Sequence, residues 1–117
     1  MTDAIEAAGV GDGLYQHGEM SIRVVEGMAM LTDGSSIAGS TLTMDKALRG
    51  AVFSAGVPLQ DAVISATATP ARVLGLDDHV GVIASDDNAD LVVLDDSLSV
   101  KRVMRQGQWP ARDERTL

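Results

Sequence analysis

The chain reads as an α+β fold, and three observations carry that reading. Apolar and polar residues alternate from Met20 to Val25 and return through Met28–Leu31, the pattern of a hairpin. Met44, Leu48, Ala51, Val52 and Ala55 then recur at helical spacing, as do Leu59, Ala62, Val63 and Ala66. Towards the end the period shortens again, with the apolar run Leu91–Leu94 and the partly alternating Val100–Arg105.

In chain order, Gly9-Val10-Gly11-Asp12-Gly13 is a glycine-dense turn or loop. In the hairpin Met20, Ile22 and Val24 share one face, and Ser21, Arg23 and Val25 the other. Glu26-Gly27 supplies its turn, and Thr32-Asp33-Gly34-Ser35 closes the unit. Ser40 or Thr41 is expected to cap the first helix, with Asp45 in its first turns where the helix dipole favours an anion. Gly56 and Pro58 stop it, and Pro58 is expected to open the second helix as its first residue. Thr69-Pro70 repeats the device for a short third helix ending near Gly75. Val80–Ile83 reads as a short strand, and Leu91–Leu94 as a strand covered on both faces. Asp95-Asp96-Ser97 and Gln106-Gly107-Gln108 are turns. Residues 110–117 form a polar tail expected to fray.

Composition narrows the function classes. A chain of 117 residues holds one domain with a modest core. With 9 basic against 17 acidic side chains the net charge is −8, so nucleic acid and anionic membrane are poor partners. The bland reading of that charge is solubility. The chain has no cysteine, which removes disulfide and thiol chemistry and fits a cytoplasmic setting. No basic n-region precedes an apolar run at the start, as a secretory signal would need. Nor does any apolar run approach the ~20 residues that span a bilayer. His17 and His79 stand alone, outside any HxH or HExxH spacing, and read as surface or hairpin histidines. Asp77-Asp78 and Asp86-Asp87 read as solvated turns, and no glycine-rich loop matches the phosphate-binding GxxxxGK[ST] pattern.

Four segments stand in a telling order: Thr2-Asp3-Ala4, then Ser36-Ile37-Ala38-Gly39-Ser40-Thr41-Leu42-Thr43-Met44, then Thr69-Pro70-Ala71-Arg72, then Ala89-Asp90-Leu91-Val92-Val93-Leu94-Asp95. Together they resemble the C-terminal part of an N-acetylglucosamine-6-phosphate deacetylase of the amidohydrolase superfamily, from about Thr2 to Trp109. The resemblance implies that residues 1–75 are the C-terminal end of a TIM barrel, with an inserted hairpin at about 14–32 and barrel helices at about 41–75. Residues 76–109 would be strands of the small β-sandwich domain. The implied reaction is hydrolysis of an acetamide by metal-activated water, giving glucosamine 6-phosphate and acetate.

The resemblance also assigns roles. Asp3 matches the carboxylate that shuttles the proton from the water to the departing nitrogen. The alternative for Asp3 is a cap on a helical turn over Ile5–Ala8. Ile37, Ala38 and Gly39 match the backbone that touches the sugar-phosphate substrate, where a glycine lets amides approach a ligand closely. The alternative is an ordinary loop. In the family the metal ligands, a Glu and two His, come from earlier barrel strands, so zinc or a similar divalent ion belongs to the full-length parent and none is expected here. The turn before Ala89 departs from the family's Gly-Lys-like pattern and carries Asp86-Asp87 instead. Met1 stands where the last apolar residue of a barrel strand would be, which implies a shortened reading frame or chain, inactive alone. Leu42, Leu48, Val52, Leu59, Val63 and Leu74 would then lack their barrel cover. The expected partner is a second copy or the missing N-terminal portion. A non-catalytic self-associating or complementing module, and a hydantoinase- or dihydroorotase-like amidohydrolase, are the rival readings.

Overall fold

The structure, a computed structural model, describes residues 2–110. Met1, and most of the tail expected to fray, lie outside the described residues. The chain divides into two compact units at Ala47/Leu48. Among the described residues it contains two small antiparallel sheets and three short α-helices, so the α+β class holds.

The first unit is built on a three-stranded antiparallel sheet in the order β1 (Gly13–His17), β2 (Met20–Val25), β3 (Met28–Leu31). The alternation read in β2 is realised: Ile22 and Val24 are buried, and Arg23 and Val25 face out. Ala7 and Ala29 complete the buried core, with Ile5, Tyr15, Leu31 and Ala38 packed against it. Removing Ile22 and Val24 from water contributes about 1.5–3 kcal/mol each. Strand β1 has no counterpart in the alternation that began at Met20. Its sequence GLYQH does not alternate and only Tyr15 is half-buried, so its pairing partner rather than its own pattern makes it a strand. Tyr15 is tethered by its hydroxyl, which donates to the Gly11 carbonyl at 2.6 Å.

Glu26-Gly27 forms the β2–β3 turn as expected, with Val25 opposite Met28 and φ of +51° and +76° at the two central residues. That doubly left-handed geometry matches the twist of a hairpin but suits Gly or Asn far better than Glu. At the next turn the Asp33 carboxylate accepts the Ser35 amide at 2.9 Å, and that bond holds its carboxyl below the ordinary range.

The second unit opens with α1 (Met44–Arg49), which belongs partly to each unit, followed by a π-helical turn over Gly50–Ser54. The expected caps are corrected. The helix starts at Met44, Ser40 Oγ accepts from Leu42 ahead of it, and Thr41 Oγ1 donates to the Gly27 carbonyl. Pro58 flanks α2 (Leu59–Ala66) as its N-cap rather than opening it, and its carbonyl accepts the Ala62 amide. Helix α3 (Ala68–Val73) starts earlier than Thr69-Pro70 predicted, because Thr67 takes the N-cap position while its hydroxyl bonds back to the Val63 carbonyl. At its end Gly75, with φ +66°, lets Gly75 N–H reach the Arg72 carbonyl and Leu76 N–H reach that of Ala71. This is a Schellman stop, and it satisfies carbonyls the helix leaves open.

Val80–Ile83 is not a strand. Gly81 adopts φ +101° and lies so close to α3 that an added Cβ would meet Ala71 Cβ at 2.9 Å and Ala68 Cα at 3.0 Å. Close packing on a helix, not pairing, sets this segment. Strands β4 (Leu91–Leu94) and β5 (Val100–Met104) form an isolated antiparallel pair. The expectation that β4 is covered on both faces is corrected: Val92 is 59% exposed and Val93 is exposed too, because only β5 lies beside the strand. The β4–β5 connection is nonetheless firmly built. Asp95 Oδ1 accepts the amides of Ser97 and Ser99 and the Ser97 hydroxyl, and Lys101 Nζ lies 2.9 Å from Oδ2. Arg49 Nη1 donates to the Leu98 carbonyl at 3.2 Å, and the Leu98 side chain is buried. Arg102 lies over the Trp109 ring at 3.8 Å, a cation–π contact. Among the described residues no helix is long and apolar enough to cross a membrane.

The Lys101 ammonium first, then the Ser97 and Ser99 bonds, hold the Asp95 carboxyl far below the ordinary range. A depressed folded-state pKa contributes stability that is complete above the unfolded value near 4 and is lost as pH falls through the folded value. Replacing Lys101 with Ala is expected to move the Asp95 carboxyl titration, followed by its 13C shift, back up towards 4. An unchanged titration would show that the ion pair does not form in solution.

Candidate functional site

In the first unit the residues marked from the sequence converge. Segment 36–38 runs beside β3: Leu31 N–H donates to the Ser36 carbonyl and Ala38 N–H to that of Ala29, both at 3.0 Å. Two residues on, the chain changes partner. Ser40 N–H donates to the Asp3 carbonyl at 3.0 Å, Ile5 N–H donates to the Ser40 carbonyl at 2.9 Å, and Ala4 and Ser40 form a parallel bridge. Asp3 is thereby held beside Gly39, though 36 positions separate them in the chain. Thr2–Ile5 joins the sheet by way of this loop and not through a strand of its own.

Gly39 is the hinge of the change. Its φ is +70°, a region that costs other residues about 1–2 kcal/mol. A Cβ built there would lie 2.6 Å from Ile5 Cγ2 and 3.2 Å from the Asp3 carbonyl oxygen. The loop therefore needs glycine for conformation and for space. Asp3 also has positive φ, +53°, and its carboxylate is exposed. Aspartate tolerates that conformation better than most residues do. The capping alternative has little to stand on here: residues 6–10 form turns bonded from Ala8 to Ile5 and from Val10 to Ala7, with no helix for Asp3 to cap. Ile37 is 69% exposed, and Ala38 and Gly39 are half-buried.

The remaining titratable groups nearby have structural partners. His17 Nδ1 lies 3.0 Å from Glu6 Oε2 on the surface. The Glu6 carboxyl is held below its usual range by its own backbone N–H first and by His17 second. Among the described residues no three His, Cys, Asp or Glu side chains converge as metal ligands would.

Sequence reasoning missed two contributors, Asp12 and Thr41. The Asp12 carboxylate accepts the amides of Glu26 and Gly27 at 2.6 and 2.9 Å, and Thr41 Oγ1 donates to the Gly27 carbonyl. Asp12 had been absorbed into a glycine-rich loop, and Thr41 into a helix cap. The one available signal was Glu at the first position of a two-residue turn, which asks for outside support.

The loop 36–40 thus pairs its backbone with β3 on one side and with the segment at Asp3–Ile5 on the other. The amidohydrolase family profile matches residues 13–109, and the chain belongs to that family. It is 37% identical over 108 residues to the putative N-acetylgalactosamine-6-phosphate deacetylase of Escherichia coli (strain K12), covering 92% of this chain and 64% of that protein. Among solved structures it is similar to the N-acetylglucosamine-6-phosphate deacetylase of Pasteurella multocida, with a TM-score of 0.88 and 26% identity over 95% of this chain. It is also similar to a variant of the Mycobacterium smegmatis N-acetyl-D-glucosamine-6-phosphate deacetylase in complex with N-acetyl-D-glucosamine 6-phosphate, with a TM-score of 0.81 and 44% identity over 93% of this chain. The chain spans 29% of each of those two chains.

Gly39→Ala tests the hinge. The left-handed backbone and the Ile5 clash together are expected to cost about 2–4 kcal/mol, read as a lowered thermal midpoint. The double variant with Ile5→Ala should show a favourable coupling, because Ile5 Cγ2 is then absent. Strict additivity would mean the loop relaxes away from Ile5.

Proposed function

We propose that this chain is the part of an N-acetylglucosamine-6-phosphate deacetylase that carries the proton-shuttling carboxylate and the sugar-phosphate loop. The observation that supports the proposal is the hydrogen bond from Ser40 N–H to the Asp3 carbonyl beside the Ala4–Ser40 bridge, with the Asp3 backbone next to Gly39.

In the proposed reaction water attacks the acetamide carbonyl carbon. A C–O bond forms, the C–N bond breaks, and acetic acid leaves, giving up its remaining proton to solvent as acetate. The Asp3 carboxylate accepts the proton released by water and returns it to the departing nitrogen, so the amine leaves neutral. The backbone of Ile37–Gly39 orients the sugar phosphate so that the acetamide reaches Asp3. In the full-length parent a divalent ion such as zinc would supply carbonyl polarisation and an acidified water. Its ligands would come from outside this chain, so the isolated chain is expected to be inactive. On this reading residues 1–75 are the end of a barrel and 76–109 belong to a small β-domain.

A partner is part of the proposal. In the second unit Phe53, Val73, Leu74, Ile83 and Val92 are exposed, with Ile83 at 88%. Such apolar surface favours association with a second copy or with the rest of a deacetylase.

The test is complementation. Alone, the chain should release no acetate from N-acetylglucosamine 6-phosphate. Mixed with a separately produced remainder of a deacetylase and a divalent metal, it should restore turnover, and Asp3→Asn should lower that turnover by about 10²–10⁴-fold. Full turnover with Asp3→Asn would remove Asp3 from the chemistry. Analytical ultracentrifugation of the isolated chain should show association, and a strictly monomeric, folded species would refute the partner reading.

A further inference from the structure

We propose that Asp12 is a positioning residue for the loop Ile37–Gly39, acting through the Glu26–Gly27 turn and Thr41. The inference rests on the sugar-phosphate reading of that loop and adds to it the device that holds the loop in place.

The loop is anchored on two sides already described, to β3 by Ser36 and Ala38 and to the N-terminal segment by Ser40. A third anchor follows at once, where Thr41 Oγ1 donates to the Gly27 carbonyl. Gly27 belongs to the turn from which β3 starts, so the same two residues set both the strand beside the loop and the acceptor at the loop's far end. That turn is not self-sufficient. Glu26 sits at φ +51°, where a side chain other than Gly or Asn is disfavoured. Its two amides point away from the ladder, and both end on one carboxylate: Glu26 N–H on Asp12 Oδ2 and Gly27 N–H on Asp12 Oδ1. Hydrogen bonds to an ionised acceptor are the stronger kind. Asp12 thus closes a chain of contacts, from carboxylate to turn amides, from turn carbonyl to Thr41, and from Thr41 to Gly39 two residues away. The space agrees, since a Cβ on Gly27 would meet Thr41 Oγ1 at 3.6 Å, so turn and loop are in contact.

A mere turn stabiliser and a positioning residue make different predictions for amide hydrogen exchange in the 117-residue chain. With Asp12→Ala, exchange at Ala38 and Ser40 should quicken roughly five- to tenfold, the loss expected for exposed hydrogen bonds. The β1–β2 ladder should keep its wild-type rates. Thr41→Val, which leaves Asp12 and the turn intact, should reproduce the effect at Ser40. Asp12→Asn keeps one acceptor oxygen and should fall between, and it serves if the alanine variant does not fold. Acceleration confined to Glu26 and Gly27, or spread equally over the β1–β2 ladder, would overturn the proposal. Titration of the wild-type chain with N-acetylglucosamine 6-phosphate separates the two layers. Amide shifts at Ile37–Gly39 that weaken in Asp12→Ala support both. Absence of any shift there overturns the substrate role of the loop, and with it the functional side of this inference, while the exchange pattern still decides whether Asp12 holds the loop.

Discussion

Segment 36–40 satisfies its backbone on two sides, and most of the first unit depends on that. Its earlier half completes the pairing of β3, and Ser40 at its end pairs with Asp3 and Ile5. Buried or half-buried backbone groups must find partners, and this short loop supplies them to the outer edge of β3 and to the segment at Asp3–Ile5. Ile5 then lies against Gly39, and Ala7, two residues on, closes the core over Ile22 and Val24. The hydrophobic core and the placement of Asp3 thus follow from one strip of backbone.

Turns in both units share a second device. Glu26-Gly27 and Gln106-Gly107 each place two successive residues at positive φ, and the first of each pair is a long polar side chain that the geometry disfavours. In each case a carboxylate from a distant loop accepts the first residue's amide: Asp12 for Glu26, at 2.6 Å, and Asp90 for Gln106, at 2.7 Å. Asp95 does similar work for Ser97 and Ser99 within its own turn. Part of the acidic excess is therefore structural. A composition of 17 acidic against 9 basic side chains suggests only solubility, yet several of these carboxylates are hydrogen-bond acceptors that hold the backbone.

The two units differ in how far they bury their apolar residues. The first has a small core with two fully buried branched side chains, Ile22 and Val24. In the second the buried set is Ala62, Ala71 and Leu98, while Val73, Leu74, Ile83, Val92 and Val103 remain exposed. A two-stranded sheet has little independent stability in water. Its apolar run leaves Val92 and Val93 exposed, and the chain spans 29% of the two solved relatives described above.

How much was legible in the sequence follows from the range of the interactions involved. The hairpin faces, the Glu26-Gly27 turn and the helical stripes were legible because periodicity and turn chemistry act within a few residues. The motif Ile37–Met44 was legible as a family signature, and the family profile over residues 13–109 bears out the amidohydrolase resemblance. Strand β1 was not legible from its own pattern, since its residues do not alternate, and only the family resemblance placed a hairpin at about 14–32. Val80–Ile83 misled because an apolar run cannot show that Gly81 will be pressed against α3. Ser40 and Thr41 were read as caps because their local chemistry suits a cap, but a distant amide or carbonyl competes for the same oxygen. By itself, then, the sequence determined the faces of the β2–β3 hairpin, the helical stripes, the family and which residues to suspect. Only the tertiary structure decided that Asp3 meets Gly39 and that Asp12 supports Glu26. Those contacts join residues 14 to 36 positions apart, and no local propensity encodes a closure of that length.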